Sequence, residues 1–332
     1  MERLRSLQDL LFPVVERPIF AEGGQGAAAR SLPIPGKKAI VNAAADRVVG
    51  VVARSYRVVT NQEALDLARQ CCRAAFGGNH EGEWQVRSVD APQSGAHCYI
   101  DLVHNSGALD FETVVAKDRP DAYGPFIRVT NSYNGLRALT FDIGFYRKVC
   151  ANGLMLRQSQ VQFKFAHGPG VRLAPVEFER AGERFTKLKE ALAGYLKVFR
   201  GFLVPNRHLT PLVEAVLRLR PRIKPSRSEM EAWDGLHHHV QGICDRYEGQ
   251  LGENAYAALN AVTEFASAPP SNRLVNRERH GLQRLAGAWV TDFSRRCQSP
   301  GFSLDEYIPE LGVAGDEPRI EAAPGRPAHS HG

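Results

Sequence analysis

The chain has 332 residues, of which 43% are hydrophobic and 23% charged, ordinary values for a globular protein with ample material for a core. No apolar run approaches the roughly eighteen residues of a membrane span, and the N-terminal LLFPVV, broken by Pro13 and followed by Glu16 and Arg17, is too short and too charged for a signal peptide. A cytoplasmic protein with no membrane partner is expected. The six cysteines at 71, 72, 98, 150, 244 and 297 include no CxxC pair, so they read as reduced, mostly buried thiols and not as metal ligands.

The net charge of +6 is unevenly spread. Residues 128–172 carry +6 and residues 195–227 carry +7, while the rest of the chain is net negative. Two basic clusters of this kind are the electrostatic footprint of a phosphate-backbone partner.

Along the chain, residues 1–36 are rich in Gly, Ala and Pro and read as a flexible leader. Valine-dense extended segments follow, and then a helix over QEALDLARQCCRAAFGG, with a cap at Thr60-Asn61 and a Gly-Gly stop. EWQVRSV, HCYIDLVH, FIRVTNSY and RALTFDIG alternate as strands. Asn134-Gly135 predicts a tight type I′ hairpin within VTNSYNGLRALTF, with Gly144 ending the second strand and YRK returning beside it. From 176 to 203 the apolar spacing changes to three and four, an amphipathic helix, and similar stripes cover 210–220, 229–248, 254–267 and 276–297. The predicted fold class is α+β: an antiparallel sheet with flanking helices over 37–175, then a helical region over 176–311 that packs on it or oligomerises, and a polar, disordered tail over 312–332.

Neither a Walker loop nor a strand-linked GxGxxG is present, so no cofactor is expected. The run His237, His238, His239 does not suit a metal, because consecutive helical side chains diverge by about 100°. Cys150, beside Arg147 and Lys148, has the neighbours of a reactive thiol, but a small buried hydrophobe explains it better.

The basic clusters are the stronger signal. In the first, Arg128, Arg137, Arg147, Lys148, Arg157 and Lys164 interleave with aromatics including Tyr133, and with Asn131 and Asn152. Cations following phosphates among aromatic faces is the usual composition of a single-strand-binding groove. In the second, Arg218, Arg220, Arg222 and Lys224 alternate through RLRPRIKPSR as an extended basic strip. The expected surface joins Arg137, Arg147 and Lys148.

Four passages resemble the phage- and plasmid-like family catalogued as domain of unknown function 932: SYRVVTNQEAL, IRVTNSYNGLRALTFDIGFYRKVCANGL, LNAVTEF and RHGLQRLAGAW, together spanning roughly 40 to 297. The central block is the specific one. The late segment departs from the family pattern, reading ASAPPSNR where members carry a histidine. The resemblance implies a prokaryotic cytoplasmic protein of mobile elements and supplies no activity. The order helix, antiparallel strands, helix is also similar to Rad52-type annealing proteins, an architectural analogy alone. The expected function is a single-stranded DNA-binding or strand-annealing protein, with enzymatic activity left open. A nuclease and a protein-binding anti-defence or regulatory module are the alternatives.

Overall fold

The computed structural model describes residues 3–4, 6–23, 30–76, 84–104, 109–116, 119–148, 153–155, 162–165, 167–168, 181–221 and 224–313. In chain order the strands are β1 (Arg3–Leu4), β2 (Val14–Arg17), β3 (Phe20–Gly23), β4 (Arg30–Pro33), β5 (Lys37–Asn42) and β6 (Arg47–Ala53). Helix α1 (Asn61–Phe76) precedes β7 (Trp84–Pro92), β8 (His97–His104), β9 (Phe111–Ala116), β10 (Arg119–Ser132), β11 (Leu139–Arg147), β12 (Gly153–Leu154) and β13 (Gln162–Phe165). The helices α2 (Ala181–Gly201), α3 (Asn206–Leu217), α4 (Arg227–Leu251), α5 (Ala255–Ser267), α6 (Arg279–Arg296) and α7 (Leu304–Val313) complete the chain. The fold is therefore α+β, as the periodicity predicts.

The main sheet is antiparallel in the order β1-β7-β8-β10-β11-β12, with β9 also on β10 and β13 also on β11. One of its faces packs on α1 and the helical region: Ile100, Leu102, Ile127, Phe141 and Phe145 share a core with Leu65, Leu192, Phe199 and Val262. Helix α5 is buried over most of its surface, consistent with its alanine-rich sequence, and lies against α2, α3, α4 and α6. Local chemistry sets the helix starts. Thr60 and Glu63 cap α1 reciprocally, Glu63 N–H donating to Thr60 Oγ1 at 3.1 Å and Thr60 N–H to Glu63 Oε2 at 2.7 Å. Ser226 and Glu229 do the same for α4.

Four expectations need correction. The leader is not uniformly irregular, because β1 to β4 fall within it. The Gly- and Ala-rich average conceals Val14 and Val15, which find a partner strand in β5. The turn after β10 is not a two-residue I′ hairpin. Gly135 has a positive φ of 73° but Asn134 does not, and β10 and β11 are joined by the longer loop 133–138. The loop is wide because Tyr133 leaves the sheet to be buried with Ile40, Val49 and Val52, its hydroxyl accepting from Asn61 N–H at 3.0 Å. Gly144 does not end β11, which continues to Arg147; a Cβ there would stand 2.6 Å from the Phe126 ring and 2.8 Å from Met155 Sδ, so glycine admits a close approach. YRK therefore extends the strand and does not fold back beside the hairpin. Finally, α7 has no counterpart among the predicted stripes, yet it buries Leu304 and Tyr307.

Candidate functional site

Alternation gives the main sheet a second face of different character. It carries Tyr99, Asp101 and Val103 from β8, Phe126, Arg128 and Thr130 from β10, and Thr140, Asp142 and Tyr146 from β11. Register sets Ser88, Asp101, Arg128 and Asp142 in one cross-strand row and Tyr99, Thr130 and Thr140 in the next. A buried sheet face this rich in charge and hydroxyl groups is costly unless its members satisfy one another.

They largely do. Arg128 is buried and its fork closes on Asp101, Nε to Oδ1 at 2.6 Å and Nη2 to Oδ2 at 2.8 Å. Arg279, in the first turn of α6, donates to the same Oδ2 at 2.9 Å, and the Ser88 hydroxyl donates to it at 2.8 Å. Burial works to raise the Asp101 carboxyl, but the charge and hydrogen bonds of Arg128, with Arg279 and Ser88, hold it below its ordinary value. Asp142 accepts from Thr140 Oγ1 at 3.0 Å. The Thr130 hydroxyl, in a residue 5% exposed, has no hydrogen-bond partner among the described residues.

The remaining nitrogen of Arg128, Nη1, donates to Gln283 Oε1 at 2.6 Å and lies 3.3 Å from Nδ1 of His280. A guanidinium only donates, so Nδ1 must accept, and the proton of neutral His280 sits on Nε2. The imidazole stacks on the Tyr99 ring with centroids 4.4 Å apart. Burial, followed by the charges of Arg128, Arg284 and Arg137, pushes the His280 pKa well below its ordinary value. Arg137, exposed in the loop after β10, acts on Tyr99 too: burial raises the phenol pKa and the Arg137 charge works against that rise. Arg128 thus lies against one neutral imidazole whose remaining N–H is a donor, and the charges of Arg137 from a loop and Arg284 from a helix also act on it. The arrangement can receive an anion at the rim, where Arg137 and Arg284 are exposed.

The sequence-derived residues fare differently one by one. Arg128 is closed off by Asp101 and cannot reach a phosphate. Asn131 is buried, its Nδ2 donating to Val59 O and Asn61 Oδ1, both at 2.9 Å, which fastens the start of α1. Tyr133 is buried as described above. Arg147 is also buried: its Nε donates to Asp121 Oδ1 at 2.7 Å and its Nη1 to Asn260 Oδ1 at 3.0 Å, tying β11 to α5. Lys148 pairs with Asp110. The continuous Arg137–Arg147–Lys148 surface does not form, because Arg147 sits on the helix-packed face while Arg137 lies at the far end of β11.

In the second cluster, Arg218 takes a left-handed φ of 55° that closes α3, and Arg220 donates to Gly312 O at 2.7 Å. Lys224 is exposed. Asn152, Arg157, Arg222 and Cys150 lie outside the described residues, as does the side chain of Lys164, whose backbone pairs with Thr140. His237 and His238 turn to separate partners, Glu214 Oε1 at 2.7 Å and Asp234 O at 2.6 Å. Among the described residues no His, Cys, Asp and Glu side chains are grouped to hold a metal.

Sequence reading missed His280, Gln283 and Arg284. Their signal was present in RHGLQR, where positions 280, 283 and 284 share one side of a helix.

The model of one protein family, described as domain of unknown function (DUF932), matches residues 48–289. The chain belongs to this family. The DUF932 match spans both the polar sheet face and the start of α6, so every described member of the His280 constellation falls inside it. Comparison with curated proteins and with solved structures returned no significant match.

Proposed function

We propose that this chain binds single-stranded nucleic acid along the rim formed by Arg137, Arg284 and His280. The observation that supports this reading is the convergence of Arg128, Arg137 and Arg284 on one half-buried, neutral imidazole. Arg128 is consumed by Asp101, which leaves Arg137 and Arg284 for phosphates and His280 Nε2 as a neutral donor between them. A second aromatic and cationic group lies beside the same loop. Tyr56 stacks on His167 with ring centroids 4.5 Å apart, its hydroxyl donates to Ser132 O at 2.7 Å, and Arg54 and Arg57 are exposed next to it. Cations interleaved with half-exposed rings suit an unpaired strand better than a duplex, whose bases are already stacked.

The test is a salt titration with labelled single- and double-stranded oligonucleotides. Each phosphate contact on a single strand contributes about 0.7 to the slope of log affinity against log salt. Arg137→Ala with Arg284→Ala should lower that slope by about 1.4 for every sequence. No binding at low salt, or a correctly folded double variant with the wild-type slope, rules the rim out.

A further inference from the structure

The loop 133–138 that joins β10 to β11 is fixed at both ends. Tyr133 is buried with Ile40, Val49 and Val52, and its N–H donates to Ala96 O at 2.8 Å. The Ser132 hydroxyl closes the loop across its base, donating to Arg137 O at 2.9 Å and accepting from Arg137 N–H at 3.3 Å. Within the turn Asn134 Oδ1 accepts from Leu136 N–H at 3.1 Å, and Gly135 takes the positive φ of 73°. A loop held in this way has already given up its conformational entropy on folding. What it displays is Leu136, at 73% the most exposed large apolar side chain among the described residues.

One exposed leucine is ordinary, but this one has particular neighbours. A Cβ on Gly135 would lie 3.6 Å from Tyr56 Cε2, so the Tyr56 ring borders the turn, and its hydroxyl is fastened to Ser132 O at the base of the loop. The His167 ring stacked on Tyr56 is fixed in turn. Its Nδ1 lies 3.0 Å from Arg57 O, and Arg57 N–H donates to His167 O at 3.0 Å. On the other side of Leu136, the Arg137 charge acts on Tyr99 and His280, which stack on each other. The turn thus borders one ring pair at Gly135 and acts on a second through Arg137, with Leu136 between those two residues.

We infer that Leu136 is a wedge that enters the base stack of a bound single strand, and that the preferred ligands are weakly stacked, pyrimidine-rich strands. This rests on the single-strand reading above and adds to it a contact with bases, since cations on phosphates hold any sequence alike. An apolar side chain pushed between bases parts neighbours that were stacked. Purine runs stack well and resist; pyrimidine runs stack weakly and give way. A base so displaced needs another ring face, and the half-buried Tyr56 and His167 border the turn. Because the loop is already ordered, insertion carries little entropic cost on the protein side.

The test compares oligo(dT) with oligo(dA) of equal length, and follows a fluorescent adenine analogue that brightens on unstacking, placed within oligo(dA). The wild type should bind oligo(dT) more tightly and brighten the analogue. Leu136→Ala should lose both effects while keeping the wild-type salt slope on oligo(dT), and Leu136→Met, which keeps an apolar side chain of similar length, should retain both. A wild type that binds the two strands equally overturns the wedge, as does a Leu136→Ala protein that matches wild type in preference and brightening. If Arg137→Ala with Arg284→Ala still lowers the salt slope in that case, the rim stands and the wedge alone falls. A wild type that binds neither strand at low salt overturns both readings.

Discussion

Replacing Arg128 by Met separates a buried structural cation from a phosphate contact. The substitution removes four interactions at once: two bonds to Asp101, one to Gln283 and the contact with His280. Breaking one side of a buried ion pair typically costs about 3–5 kcal/mol because the other charge is left uncompensated. Asp101 keeps Arg279 and Ser88, which places the expected loss at the lower end, about 3 kcal/mol. Urea unfolding, followed by circular dichroism and by the combined fluorescence of Trp84, Trp233 and Trp289, reads the loss. Pairing Arg128→Met with Asp101→Asn should recover part of it, since the two residues are in direct contact. A loss below about 1 kcal/mol would mean that the fork contributes little, and the burial argument fails. Reduced oligonucleotide binding at unchanged stability would restore Arg128 to the surface role its sequence neighbourhood suggested.

His280 is neutral when folded and titrates near its ordinary value, about 6.5, when unfolded. As pH falls through that value the unfolded chain gains a proton and the folded chain does not, so acid removes stability. His280→Gln should therefore flatten the stability profile between pH 7 and pH 5.5, by up to about 1.4 kcal/mol per pH unit; an unchanged profile would show the imidazole is not held neutral. Gly144→Ala places a methyl against the Phe126 ring and Met155. Overpacking there should cost about 1–3 kcal/mol, and a melting temperature equal to wild type would contradict the close approach that accounts for this glycine.

Much of this fold is written in local pattern. The stripes of α2 to α6, the Thr60 and Ser226 caps, and the alternation of β7, β8, β10 and β11 depend on residues a few positions apart, so the sequence alone determines them. The polar sheet face is a different matter. Arg128 looks like a surface cation because its partner Asp101 is 27 positions away on another strand, and Arg147 because Asp121 is 26 positions away. His280 lies 152 positions from the Arg128 that orients it. A cluster of positive charge in a sequence is a statement about composition, and only folding decides which of those charges keep their water. Here tertiary structure neutralised Arg128 and Arg147 inside the protein, because a buried guanidinium must find a carboxylate, and left Arg137 and Arg284 at the rim.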